Sequence, residues 1–556
     1  MKNSSLTIEN FKELIDADAY YVDKTQLIVN CMKERRVLYT RPRRFGKTLN
    51  MSMLYYFFSN KEKDNAYLFD GLKVTEYPEV MKHQNQYPTI LISLKDMKNN
   101  DFDDQKAVFA DIIKDVVKKN MELFDSPYVD ESDKKILNDF KFLQADYSQL
   151  KRALLTLSKC LEDYYHQKVI ILIDEYDVPL QSAYQNGYYD EMVDFLRSVF
   201  SSALKTNDAL EKGILTGCLR ISKESIFTGL NNFKTYSILD KGNEENFGFT
   251  ESEVKQILKD YQLENYFGEV KEWYDGYLFG DKEIYNPWST LMYVDDKVNN
   301  HQDSAISYWA NTSGNDIVYN YIKNATPALK EEFETLLQGG TVIKEIKPEL
   351  TYREMDNINN IYSFLLLTGY LKIKSKVEEK DPYNRNKPIT KYELIIPNEE
   401  VYQIYRNQFV DYFENYVDER MGSLYQGLVD GDEKQVMKLL NEILSKSISY
   451  YDNKESFYHG FLTGLFSGYQ VESNRESGDG RFDLCILPAD GSNDTVVLIE
   501  CKHSLSDDAL IDDSEAGARQ IIEKKYLEDK RIRKYINAVG YGISFYKKRC
   551  YVTKAQ

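Results

Sequence analysis

Short apolar runs separated by amphipathic stretches organise the first part of the chain. Val37-Leu38-Tyr39 is one such run, followed by a basic loop and a helical pattern over 48–58. Thr89-Ile90-Leu91-Ile92-Ser93-Leu94 predicts a second strand, Val169-Ile170-Ile171-Leu172-Ile173 a third and Gly213-Ile214-Leu215-Thr216 a fourth. The third run is continuously apolar and mostly β-branched, as a central parallel strand buried on both faces requires. Helical patterns at 148–165 and 189–204 lie among these runs. Such alternation, up to about residue 245, predicts a parallel sheet with helices on both faces.

From about 246 to 430 the pattern is mostly helical. An apolar helix at 361–370 precedes Leu371-Lys372-Ile373 and Tyr392-Glu393-Leu394-Ile395-Ile396, which flank the polar stretch 378–387. This is the outline of a winged helix, and equally of a hairpin set in a helical linker domain. From 431 the character changes again. A helix at 455–465, strands at 469–473, 482–487 and 496–500, a helix at 516–527 and a hairpin of 538–545 with 550–553 follow one another. That α-β-β-β-α-β-β order is an α/β domain of its own. Three domains, 1–245, 246–430 and 431–556, suit a chain of 556 residues, because one hydrophobic core stops growing near about 250–300 residues.

Composition narrows the classes. Hydrophobic residues at 42% and charged residues at 29% describe a folded chain rather than a disordered one. The net charge of −18 excludes a protein that coats nucleic acid by bulk positive charge. The charge is uneven, however: residues 1–60 sum to +4, 61–430 to −20 and 431–556 to −2. Within the two ends, 33–48 carries +6 and 521–556 carries +7, which leaves room for localised phosphate binding. Six cysteines without a C-x-x-C pair read as reduced core thiols of a cytoplasmic protein, not a disulfide frame or zinc site. The N-terminus has no apolar signal core, and no stretch approaches 18 apolar residues, so no membrane span is expected.

Candidate chemistry begins at Arg41-Pro42-Arg43-Arg44-Phe45-Gly46-Lys47-Thr48, between a strand and a helix. In a P-loop, backbone N–H groups and the helix N-terminus bind phosphates, the Lys reaches the β- and γ-oxygens, and the Thr hydroxyl helps hold Mg2+. Arg41 stands where the first glycine of that motif belongs. The apolar strand 169–173 runs into Asp174-Glu175. Asp174 would hold Mg2+, and Glu175 would orient and deprotonate the attacking water. Thr216 ends a strand and Arg220 follows it, placed to sense a γ-phosphate; Arg197 is another arginine of this kind, and a surface salt bridge is the competing reading for both. Arg43, Arg44, Gly46, Lys47 and Thr48 complete the candidate ATP site.

These segments, with Tyr21-Val22-Asp23-Lys24-Thr25, Ile173-Asp174-Glu175-Tyr176-Asp177-Val178-Pro179-Leu180, the run Thr216-Gly217-Cys218-Leu219-Arg220 and Trp273-Tyr274-Asp275-Gly276-Tyr277, resemble the AAA-ATPase-like proteins of bacteria and archaea. That resemblance implies ATP binding, and an Arg at the first motif position is common among those proteins.

Near the C-terminus, Gly480-Arg481-Phe482-Asp483-Leu484-Cys485-Ile486 precedes Val496-Val497-Leu498-Ile499-Glu500-Cys501-Lys502. On neighbouring strands Asp483 and Glu500 can converge on one divalent cation, and Lys502 projects to the face of Glu500 because strand side chains repeat every two residues. Two hard carboxylates select Mg2+ or Mn2+. A cross-sheet salt bridge between Glu500 and Lys502 is the structural alternative. The layout resembles the PD-(D/E)XK nuclease superfamily. The resemblance implies a helix carboxylate at Glu455 and a substrate-contacting Gln520 with Tyr526. His459, one helical turn beyond Glu455, reads as a packing residue.

The expectation is an α/β multidomain chain: a P-loop NTPase parallel sheet, a mostly helical middle and a PD-(D/E)XK-like domain. Its function would be ATP hydrolysis joined to a Mg2+- or Mn2+-dependent nuclease acting on nucleic acid, with ATP turnover gating the C-terminal site. The alternative is an NTP-dependent switch or scaffold whose C-terminal domain binds nucleic acid or protein without cleavage. An arginine supplied in trans would require a homo-oligomer.

Overall fold

The computed structural model describes residues 8–220, 233–300, 304–309, 327–356, 358–380, 388–447, 458, 461–463, 465–466, 469–477, 480–488, 495–528, 532–533 and 535–555. Two compact units divide the chain. One takes Met1–Asn315 and Thr335–Ile404, the other Asp316–Glu334 and Tyr405–Gln556.

The first unit is built on β1 (Arg36–Thr40), β2 (Thr89–Ser93), β3 (Val169–Asp174), β4 (Leu210–Gly217) and β5 (Lys234–Tyr236). Their order in the sheet is β2-β3-β4-β1-β5, and every neighbouring pair is parallel. All six residues of β3 are buried, which is why its sequence shows no alternation. The four expected strands are present. The fifth, Lys234-Thr235-Tyr236, has no apolar run and, among the described residues, pairs only with β1 at the sheet edge. Because β4 lies between β1 and β3, the C-terminal ends of all three meet along one edge. Ligands of open parallel sheets bind at that edge.

The expected helix at 148–165 is two helices, Tyr147–Lys151 and Ala153–Tyr165, parted at Arg152. Tyr189–Phe200 is helical and runs into a π turn at Ser201–Lys205. Further on, a two-stranded ribbon pairs β6 (Tyr277–Phe279) with β7 (Lys282–Ile284). A three-stranded antiparallel sheet has the order β8-β10-β9, from β8 (Val342–Glu345), β9 (Lys372–Lys380) and β10 (Pro388–Ile395). The helix Ile358–Thr368 precedes its hairpin, as the sequence pattern anticipates.

The second unit carries β11 (Gln470–Ser477), β12 (Gly480–Leu487), β13 (Thr495–His503), β14 (Asn537–Tyr546) and β15 (Arg549–Lys554) in sequential order across one sheet. Only β13 and β14 pair in parallel, with the helix Leu510–Glu523 as their crossover. Apolar residues cover both faces. Val497, Ile499 and Cys501 enter one cluster with Tyr541 and Ile543. Val496 and Leu498 enter the other with Ile521 and Tyr526. Among the described residues, no helix is long and apolar enough to cross a membrane.

Candidate functional site

The turn from β1 into the helix Lys47–Phe58 is a tight loop with two left-handed residues, Arg44 at φ 67 and Gly46 at φ 77. A β-carbon on Gly46 would meet no atom within 4 Å, so glycine is there for its backbone conformation. Lys47 is 5% exposed. Its Nζ donates to the loop carbonyls of Arg41 (3.2 Å) and Pro42 (2.9 Å) and lies 3.6 Å from Cys218 Sγ. A phosphate entering the loop would compete with those carbonyls for the ammonium.

Arg41, in place of the motif glycine, turns its side chain into the protein interior. It is fully buried and donates to the carbonyls of Thr40, Tyr236 and Asn243 at 2.8, 2.8 and 2.9 Å. Its guanidinium stands 5.2 Å from the ring centres of both Phe247 and Phe279. Burial pulls its pKa down to about 10. Later segments of the same unit pack on the loop. Phe45 meets Tyr277 and Phe279 at 4.9 and 5.2 Å, and the exposed Arg44 stacks on Trp288 at 4.3 Å. Arg43 donates to Gln181 at 2.9 Å.

Asp174, at the end of β3 and 1% exposed, joins β4 to the helix that follows β1. Its Oδ2 accepts from the Thr48 hydroxyl at 2.8 Å and its Oδ1 from the Thr216 hydroxyl at 2.5 Å. Thr48, Asp174 and Thr216 therefore form one row across the edge where β1, β4 and β3 end. These hard oxygens suit Mg2+. Glu175 follows at φ 51, an uncommon backbone conformation for a residue with a side chain. Burial pushes its carboxyl up, with Lys47 opposing and Asp174 adding. Arg220 pairs with Glu349 at 2.6 Å, and Arg197 with Asp194 on its own helix at 2.7 Å.

In the second unit, β12 and β13 pair Cys485 with Leu498 and Leu484 with Ile499. Continued by one residue, that register sets Asp483 opposite Glu500 on one face. Asp483 Oδ2 accepts the backbone N–H of Cys501 at 2.8 Å. Glu500 is 3% exposed. Its Oε1 accepts from Lys502 Nζ at 3.2 Å and from the Gln520 amide. Gln520 Oε1 in turn accepts from Lys502 at 2.8 Å, so the amide braces both charged groups. Among the described residues, Glu500 Oε2 is buried with no hydrogen-bond partner. Burial, with the Asp483 charge adding, pushes Glu500 up to about 7. An orphaned carboxylate oxygen beside a second carboxylate fits a divalent cation. Among the described residues, no three His, Cys, Asp or Glu side chains gather into a metal cluster.

Gln520 reaches this pair because its helix lies unusually close to the sheet. A β-carbon on Gly542 would stand 2.0 Å from the carbonyl oxygen of Ser514 and 2.3 Å from the nitrogen of Ala518, both on that helix. Gly517, one turn before Gln520, lies within 3.3 Å of the Glu500 carbonyl by the same measure.

Of the residues singled out in the sequence, Lys47, Thr48, Asp174 and Thr216 come together. So do Asp483, Glu500, Lys502 and Gln520. Tyr526 is 1% exposed, in the core beside Phe482. Glu455 and His459 lie outside the described residues. The sequence pattern assigns no role of their own to Asp177 and Gly217, which it shows only within family-like segments, or to Gly517 and Gly542. The last acid of Asp-Glu-Tyr-Asp marks Asp177, the glycine closing β4 marks Gly217, and Gly517 and Gly542 show only as isolated glycines inside a helix and a strand.

Residues 5–227 match the family model described as "Predicted AAA-ATPase", and residues 453–555 match the PD-(D/E)XK nuclease superfamily. An uncharacterised protein from the vnfD 5′ region of Azotobacter chroococcum mcd 1 is 24% identical, over 96% of this chain and 94% of that one. No solved structure matches the chain. The chain thus carries an AAA-ATPase-like domain, on the parallel sheet whose edge holds Lys47 and Asp174, and a PD-(D/E)XK nuclease superfamily domain, on the sheet that holds Asp483 and Glu500.

Proposed function

We propose that the chain is an ATPase joined to a Mg2+- or Mn2+-dependent nuclease that cleaves nucleic-acid phosphodiesters. The ATPase half rests on the row Thr48–Asp174–Thr216 beside Lys47. Lys47, Arg43, Arg44 and the N–H groups at the helix start would bind the phosphates, and Thr48 with Asp174 would hold Mg2+. Glu175 is the base for the attacking water, and burial, by raising its proton affinity, makes it a stronger one. Arg220 would reach the γ-phosphate only on leaving Glu349.

The nuclease half rests on the partnerless buried oxygen of Glu500 beside Asp483. Asp483 and Glu500 would hold the cation, which when bound supplies Lewis-acid charge and lowers the pKa of water. Lys502 places positive charge where the scissile phosphate gains negative charge, and Gln520 keeps its ammonium aimed. The same orphaned oxygen weighs against a domain that only binds nucleic acid, since a binding surface has no use for it. The proposed setting is the cytoplasm, and a homo-oligomer follows if a neighbouring copy supplies an arginine.

Two measurements test the halves separately. ATP hydrolysis should fall about 10²-fold or more in Lys47→Ala and Glu175→Gln; unchanged turnover would contradict the ATPase assignment. Calorimetric Mn2+ titration without nucleotide should show a site that Glu500→Gln and Asp483→Asn abolish. A titration that these substitutions leave unchanged sinks the metal assignment.

A further inference from the structure

Residues 174–177 and 216–219 stay tied together after the pairing of β3 with β4 ends. β3 and β4 pair as far as Ile173 with Leu215. Beyond that rung, the Tyr176 N–H donates to the Thr216 carbonyl at 3.1 Å, and the Tyr176 hydroxyl to the Leu219 carbonyl at 2.5 Å. Asp177 Oδ2 accepts the backbone N–H groups of both Cys218 and Leu219, each at 2.9 Å. Asp177 is 3% exposed, and a buried carboxylate persists only where hydrogen bonds repay its lost hydration. Gly217 makes room for the clamp. A β-carbon there would stand 2.6 Å from Asp177 Oδ1 and 2.7 Å from the Tyr176 ring.

We propose that Asp177 is the positioning residue that holds Glu175 in register with Thr216 for ATP hydrolysis, by pinning the backbone that follows β4 to the turn that follows β3. This rests on the ATPase reading above. Glu175 sits between two anchored neighbours. Asp174 takes the Thr216 hydroxyl on one side, and Asp177 takes the Cys218 and Leu219 amides on the other. Its left-handed backbone, φ 51, persists because both sides are held. Releasing Asp177 lets that turn relax and moves the Glu175 carboxylate, while Lys47, Thr48 and Asp174 keep their places. The expected signature is loss of turnover without loss of nucleotide.

The experiment uses the full chain and measures ATP turnover and equilibrium ATP affinity separately. Asp177→Ala should lower kcat about 10²-fold, the scale of a misplaced reacting group, with affinity within about threefold of native. Asp177→Asn keeps an oxygen that can accept both N–H groups, and should return kcat to within about tenfold of native. Tyr176→Phe removes one bond of the clamp and serves if the alanine variant fails to fold. It should lower kcat by about threefold to tenfold, again at native affinity. If the native chain hydrolyses ATP and both Asp177→Ala and Tyr176→Phe keep its kcat, this assignment alone is overturned. Affinity and kcat falling together in every variant also overturns it, in favour of a purely structural role. A native chain with no ATP turnover overturns the ATPase reading and this assignment with it.

Discussion

Glu400 carries a carboxylate into the interior of the first unit with no exposure to solvent. The Ser289 hydroxyl donates to both its oxygens at 2.8 Å, and the N–H groups of Tyr308 and Trp309 donate to Oε1 at 3.0 Å. Those bonds favour the ionised form, but burial outweighs them and pushes the group up to about 7. Unfolded, the same carboxyl titrates near about 4.3. Between those values the native state holds a proton that the unfolded chain has lost, so stability is full at low pH and falls as pH rises through the window. Thermal unfolding of this unit should lose roughly 1–3 kcal/mol across it, and Glu400→Gln, neutral at every pH, should flatten that slope. Equal slopes in both proteins would contradict the assignment.

Arg41 gives a second residue-scale prediction. Arg41→Gly restores the motif glycine, yet it should cost roughly 3 kcal/mol or more of stability, because it strips three carbonyls of a buried donor. An unchanged unfolding midpoint would refute this. Lys47, Thr48 and Asp174 were legible in the sequence because motif residues and a strand end announce them locally. Arg41 read there only as a missing glycine. Its partners Tyr236 and Asn243 stand 195 and 202 residues away, and no local pattern connects them.

Among elements, the helix Leu510–Glu523 depends on two bare glycines for its distance from β13 and β14. Gly542→Ala should destabilise the second unit by about 1–3 kcal/mol through overpacking, and should draw Gln520 away from Glu500. Gly422, in the helix Glu399–Asp430, has nothing within 4 Å of an added β-carbon. Gly422→Ala should therefore stabilise the unit by up to about 1 kcal/mol. Unfolding midpoints of the two variants check both signs, and equal shifts would contradict the packing argument. Legibility at this scale followed burial. β3 is apolar at every position but its terminal Asp174 and was plain. β5, three residues at a sheet edge, takes its conformation from β1 and left no trace in the pattern. The break at Arg152 was equally silent, since apolar spacing runs through it. The helix-to-sheet contact that sets Gln520 beside Lys502 shows in sequence only as two isolated glycines.

For the whole molecule, a net charge of −18 coexists with +7 over residues 521–556. Nucleic acid held by that segment touches few phosphates, so its affinity should fall with salt at a log–log slope of only about −2 to −4. A slope near −10 would indicate a far broader basic surface. The two halves are proposed to communicate, with ATP turnover gating cleavage. The most direct measurement is cleavage of DNA and RNA by the full chain with Mg2+ or Mn2+, with and without ATP, alongside Asp483→Ala and Lys502→Ala. Expected is metal-dependent cleavage by the native chain that responds to ATP and is lost in both variants. No cleavage of any nucleic acid, or equal cleavage in the variants, would contradict a nuclease centred on Asp483, Glu500 and Lys502.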